Sequence, residues 1–212
     1  MSAVILTVVF LILYFGSAVF LLRGLRMGTR ELCICGVMIA LTLVLDSIRI
    51  PLPTGATLSL CSPVPLLLLA LLWDGRLAIL SGWVCGILAI FLVPVWQPVH
   101  WGQIFVEHLV CFSCLGYAGL LGGAGRWKRL RGLIAAFALN LAGHILSGVI
   151  FFAENAWDGW GAWGYSLAYN LSQNVPLALL CIAVVMVLPL PTLARTIKGE
   201  EVPHDHGGSA AG

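Results

Sequence analysis

Seven stretches of this chain are apolar enough to need a lipid bilayer as their solvent: residues 3–22, 32–50, 61–73, 77–95, 103–124, 133–153 and 164–190. A bilayer core is crossed by about 20 apolar residues in helical form, and all but the third stretch have that length. The third is short and interrupted by Pro63 and Pro65, which predicts a tilted or partly broken helix rather than a simple span. Charged residues make up only 9% of the 212, where a soluble domain carries roughly 25%. The expected fold class is therefore an all-α integral membrane protein with the lipid bilayer as its medium. A net charge of +2 on so few ionised groups gives no ground for a nucleic-acid partner.

Lys and Arg collect in alternate loops, and that bias sets orientation. Arg23, Arg26 and Arg30 follow the first stretch, Arg76 follows the third, and Arg126, Lys128, Arg129 and Arg131 follow the fifth. Arg195 and Lys198 follow the last. All fall on one side if the N-terminus is outside and the C-terminus is cytoplasmic. Arg49, Asp46, Glu154 and Asp158 are then assigned to the outer loops. The first stretch lacks a basic start and an A-x-A cleavage site, so it is read as a retained helix rather than a signal peptide. The expected organisation is an N-terminal helix with its basic loop over 1–30, a membrane domain over 31–193 and a disordered cytoplasmic tail over 194–212. The tail's H-D-H, at His204 to His206, is read as a solvated segment rather than a metal site.

The seven cysteines lie mostly within apolar stretches, which favours packing over a disulfide framework. Cys111 and Cys114 form a C-x-x-C, but the second half of a zinc pattern is missing, so no metal or cofactor is expected. Nothing pairs a nucleophile with its base, and no Walker-type glycine loop is present, so the chain is not expected to be an enzyme or to hydrolyse ATP.

Ionisable and polar residues inside spans are costly and point to function by default. Glu107 and His108 lie in Q-I-F-V-E-H. His144, Gly148 and Phe152 recur at i, i+4 and i+8 along H-I-L-S-G-V-I-F-F, with Asn140 one turn before. Tyr165 and Asn170 lie in Y-S-L-A-Y-N. The topology places all of them in the outer half of the membrane. Each has a plain structural explanation: a neutralised ion pair, a packing histidine, a small residue for close helix contact, or an interfacial tyrosine. Together they suggest a pocket for a small, flat, polar molecule, with a carboxylate suited to an amino-bearing, cationic heteroaromatic ring. Trp96, Trp101, Trp157, Trp160 and Trp163 in the outer loops read first as an interfacial belt, and second as a lid or wall.

These motifs resemble the thiamine-specific substrate-binding subunits (S components) of energy-coupling factor vitamin transporters. The likeness rests on P-T-G-A-T-L-S-L-C-S-P-V-P-L, Q-I-F-V-E-H, H-I-L-S-G-V-I-F-F and A-W-D-G-W-G-A-W-G-Y-S-L-A-Y-N. It implies a six-helix core in a bacterial cell membrane, here with one extra N-terminal transmembrane helix. It implies a thiamine site of Glu107 and His144, with Tyr165 and Asn170 on the aminopyrimidine side. It also implies an energising transmembrane subunit and two ATPase subunits, contacted partly through Gly36 and Ala40. The chain departs from the family pattern at Ala56 and Phe152, where many members carry Trp, and at His108, where they carry Tyr. Restoring an aromatic at Ala56 or Phe152 is expected to preserve or tighten binding, and His108 is expected to tolerate replacement better than Glu107. The remaining readings are a subunit for another vitamin or a thiamine precursor, an intramembrane acid–base enzyme using Glu107 and His144, and a stand-alone secondary transporter with Glu107 as its proton-coupling carboxylate.

Overall fold

A computed structural model of the chain describes residues 2–53, 55–123 and 125–198. Its helices are α1 (Ser2–Leu22), α2 (Thr29–Ser47), α3 (Val64–Leu72), α4 (Gly75–Leu92), α5 (Trp101–Leu121), α6 (Arg126–Phe151), α7 (Ala162–Val187) and α8 (Leu190–Lys198). Helices α1, α4, α5, α6 and α7 are long and apolar enough to cross a membrane, and α2 has 19 residues. The chain is a multi-pass membrane protein.

The third stretch, 61–73, is preceded by a hairpin and holds one short helix. Arg49–Pro51 (β1) pairs antiparallel with Thr57–Ser59 (β2), with Ile50 opposite Leu58. Helix α3 follows, with Pro63 as its N-cap and only nine residues. At 1.5 Å per residue it is about 14 Å long, under half of a hydrocarbon core of roughly 30 Å. Helix α3 by itself is therefore too short to cross a bilayer. Leu66, Leu67 and Leu69 on α3 are fully buried, so this short helix forms the centre of the bundle. The sequence reading also placed the disordered tail from 194. Residues 194–198 are instead the end of α8, and the tail beyond them, His204 and His206 included, lies outside the described residues.

Helix α5 is irregular. It opens as α-helix, passes through a π segment at Ile104–Leu109 and a 3-10 turn at Cys114–Gly116, and closes as α-helix. Two glycines one turn apart on α4 bring it into backbone contact. A Cβ at Gly82 would lie 2.3 Å from the Ser113 Cα, and one at Gly86 would lie 2.2 Å from the His108 carbonyl oxygen. Small residues at this spacing let membrane helices approach closely.

The first helix is tied to α5 by hydroxyls. Ser113 Oγ donates to the Leu109 carbonyl, so the 2.6 Å contact from Tyr14 must be donated by its phenol. Ser17 Oγ donates to its own helix at Tyr14, so Tyr117 donates to Ser17 at 2.6 Å. Removing one such bond costs about 1 kcal/mol, or roughly 2–4 °C in a chain of this size. Tyr14→Phe is expected to lower the midpoint of thermal unfolding in detergent by that amount, and an unchanged midpoint would show that the bond contributes nothing.

Candidate functional site

Helices α2, α5, α6 and α7, the hairpin and the 94–99 loop enclose a cavity of about 330 Å³. Glu107, His108, His144, Gly148, Phe152, Tyr165 and Asn170 all line it, so the residues singled out from three separate motifs meet in one place.

Glu107 is the centre of the polar wall. Its carboxylate accepts from Gln103 Nε2 at 2.6 Å, Ser147 Oγ at 2.8 Å and His144 Nδ1 at 3.3 Å. The π segment sets Gln103 and Glu107 side by side on α5, while Ser147 and His144 share a face of α6 as an i, i+3 pair. A π segment of this kind is a frequent companion of functional sites.

Asn170 reaches the cavity from α7. Its amide nitrogen donates to the Ser166 carbonyl at 2.9 Å and to the His144 carbonyl at 3.3 Å. Both partners can only accept, which fixes the amide orientation and leaves Oδ1 as the acceptor for a ligand. Gly148 makes this reach possible: a Cβ there would stand 2.3 Å from Ser166 Oγ and 3.1 Å from Asn170 Nδ2. Ser166 in turn donates to the Ile145 carbonyl at 2.8 Å, locking α7 onto α6. Asn140, one turn before His144, donates to the Cys111 carbonyl at 2.8 Å and also lines the cavity. Cys111 and Cys114 hydrogen-bond to backbone carbonyls of α5 and α6, as packing thiols do.

Several lining residues escaped the sequence reading. Asp46, assigned there to an outer loop, is the penultimate residue of α2 and only 2% exposed. It accepts from Arg49 Nη2 at 2.6 Å, from Ser62 Oγ at 2.8 Å and from the Trp96 indole. It thus ties the hairpin and the 94–99 loop to α2. The rule that flagged Glu107, an ionisable group inside an apolar run, applies equally to Asp46. Trp96 is the aromatic wall. Its ring lies 5.4 Å from His108, 5.2 Å from Phe112 and 6.0 Å from His144, with the Arg49 guanidinium 5.6 Å from its centroid. Trp101, Trp160 and Trp163 are exposed, as an interfacial belt requires. Trp157 stands edge-on to Tyr165 at 5.2 Å, and Tyr165 in turn packs on Tyr169.

Two expectations need correction. His108 is fully buried, and its Nε2–H donates to the Trp96 carbonyl at 2.6 Å. Phenylalanine at this position has no donor for that carbonyl, so His108 is a holder of the wall rather than a tolerant aromatic substitute. Ala56 is 1% exposed inside the hairpin and does not line the cavity. An indole there would overpack the hairpin instead of stacking on a ligand. Phe152 does line the cavity and is partly exposed. Phe152→Trp is expected to tighten ligand binding by about 0.5–1.5 kcal/mol through added stacking surface. A titration showing weaker binding would place that ring outside the stack. Gly36 and Ala40 lie elsewhere, exposed on α2, with open space beside Gly36.

Comparison with known proteins agrees with this architecture. Residues 32–197, from α2 to the end of α8, match the model of the family described as Thiamine transporter protein (Thia_YuaJ). Over 180 residues the chain is 26% identical to the thiamine transporter ThiT of Bacillus subtilis (strain 168), covering 78% of this chain and 92% of that protein. Its fold is similar to the solved structure of ThiT from Listeria monocytogenes, with a TM-score of 0.65 at 20% identity over 80% of this chain and 95% of the other. Helix α1 lies outside the matched region. The chain belongs to the thiamine transporter protein family, whose members are transport proteins and not enzymes.

Proposed function

We propose that the cavity binds one molecule of thiamine and that the chain is the substrate-binding subunit of an energy-coupling factor importer. The observation that carries this reading is Glu107, a carboxylate with three convergent donors set in a polar cavity that Trp96, Phe112, Phe152, Tyr165 and Tyr169 also line. Thiamine joins an aminopyrimidine to a cationic thiazolium ring. An anionic cavity with aromatic faces favours that cation, and the free Oδ1 of Asn170 together with Glu107 accepts from the exocyclic amine and ring edge. Trp96, held by Asp46 and His108, is the stacking wall. Its placement supplies a direct test: thiamine added to purified protein quenches tryptophan emission to saturation, and Trp96→Phe removes most of that change. Saturable quenching by another vitamin with none by thiamine rejects the ligand and leaves the fold reading standing.

Accumulation against a gradient needs an energy source, and no nucleotide-binding loop is present in the sequence. The reading therefore includes a separate transmembrane subunit and two ATPases, docked partly on the Gly36 and Ala40 face of α2. It also places the N-terminus outside and the C-terminus in the cytoplasm, from the loop charges. Gly36→Trp is expected to abolish uptake in cells while thiamine binding by the detergent-purified subunit stays unchanged. Thiamine accumulation by liposomes holding this chain alone, driven by a proton or sodium gradient, would identify a secondary transporter instead.

A further inference from the structure

A second cavity, of about 210 Å³, lies at the other end of α3. The N-terminal cap of α3 lines the thiamine cavity, whereas its last residues, Leu71 and Leu72, line this one. Opposite them stand Gly119 and Gly123 at the end of α5, Leu190 and Ala194 of α8, and Arg129 in the first turns of α6. The two glycines leave room because they carry no side chain. A Cβ at Gly119 would lie 2.0 Å from the Ala70 carbonyl oxygen, so this approach of α5 to α3 admits only glycine.

Arg129 is the anomaly. It is 8% exposed, yet its guanidinium has no hydrogen-bond or ion-pair partner among the described residues. A guanidinium offers five donors and stays charged, and here they open only onto the cavity, between apolar walls that favour pairing the charge with an anion. The carbonyl end of α3 points a negative dipole toward this region but supplies no acceptor within bonding distance. Other features of the site also favour an anion. Helix α6 begins after Gly125, which has no side chain to cap its first amides. Arg126, Lys128 and Arg131 are exposed around the rim, with Trp127 at 76% exposure beside them, a basic and aromatic surface of the kind that lies against headgroups. The remaining walls are leucine, proline and alanine.

We propose that this cavity is a binding site for an anionic phospholipid, with the headgroup phosphate on the Arg129 guanidinium and the glycerol and upper acyl carbons along Leu71, Leu72 and Leu190. A basic pocket between transmembrane helices on the positively charged side is the setting in which such headgroups bind. Phosphate matches the planar fork of arginine in two-point contact, and the apolar walls distinguish a lipid from a free ion. The site is independent of the thiamine reading and lies at the opposite end of the bundle from Glu107.

Native mass spectrometry of the full-length protein in detergent tests it, with dioleoyl phosphatidylglycerol, dioleoyl phosphatidylcholine or inorganic phosphate as the added probe. Wild type is expected to retain phosphatidylglycerol in preference to phosphatidylcholine. Arg129→Gln is expected to weaken that retention about tenfold, as loss of one charge-assisted contact does. Arg131→Gln removes the same charge from the exposed rim and is expected to have little effect. If Arg129→Gln does not fold, Ala194→Phe serves in its place, since it fills the cavity from α8 and is expected to abolish the preference. Equal retention of the two lipids by wild type overturns the proposal. So does an equal loss in the Arg129 and Arg131 variants, or in the folded Ala194 variant an undiminished preference. Displacement of phosphatidylglycerol by millimolar inorganic phosphate would show that the site takes the free ion. A preference that emerges only in Glu200→Gln/Glu201→Gln would show that tail carboxylates occupy Arg129, and the lipid assignment would fall.

Discussion

Glu107→Gln is expected to weaken thiamine binding by about 1–3 kcal/mol, roughly fivefold to 150-fold. The substitution keeps the size of the side chain and removes its charge. Three donors now converge on the carboxylate, from Gln103, Ser147 and His144, and an amide can accept from them through one oxygen only. Its nitrogen, a donor, then faces donors. A cationic ligand loses its counter-charge in the same step, and charge-assisted bonds are about twice as strong as neutral ones. The protein itself should fold, since α5 and α6 still meet through the hydrogen bonds between Asn140 and Cys111. Equal affinity in wild type and variant would remove Glu107 from the site.

Asp46→Ala is expected to act on stability more than any other single change at the cavity. Its carboxylate holds three donors from three parts of the chain: Arg49 in β1, Ser62 before α3 and Trp96 in the loop after α4. Removing one partner of a buried ion pair strands the other, at a cost of about 3–5 kcal/mol. Arg49 retains some access to water, with its side chain 20% exposed, so the lower end applies. About 3 kcal/mol corresponds to a fall of roughly 6–12 °C in the unfolding midpoint. Asp46→Asn keeps two acceptor lone pairs and is expected to lose less. A midpoint within about 2 °C of wild type for Asp46→Ala would show that the clamp is not needed, given that a single kcal/mol already moves it that far.

The contrast between Glu107 and Asp46 shows what could be read before the fold was known. Apolar length gave the long helices, because a span must satisfy its own backbone and lipid enforces that without tertiary help. Helical periodicity aligned His144 with Gly148 and Phe152, since that rule depends only on the helix itself. Asp46 failed the same reading because it sits three residues before the first hairpin strand, where a span end and a loop look alike. Trp96, read first as part of an interfacial belt and only second as a wall, and Ser147, not singled out at all, were obscured for a different reason. Their roles come from partners distant in sequence, Asp46 in one case and Glu107 in the other, and no local pattern encodes such a meeting. The π segment of α5 was equally hidden: its residue His108 meets the α4 backbone at Gly86, a contact distant in sequence. Ala56 shows the opposite error: an alignment position suggested a ligand contact that the hairpin's packing does not provide.

The central claim is that the cavity around Glu107 holds thiamine. Calorimetric titration of the detergent-purified full chain with thiamine tests it most directly, with the thiamine pyrimidine precursor titrated in parallel. The account predicts saturable binding of thiamine at one molecule per chain, weakened in Glu107→Gln. Absence of thiamine heat in a protein that unfolds cooperatively, or binding unaffected by Glu107→Gln, would contradict it.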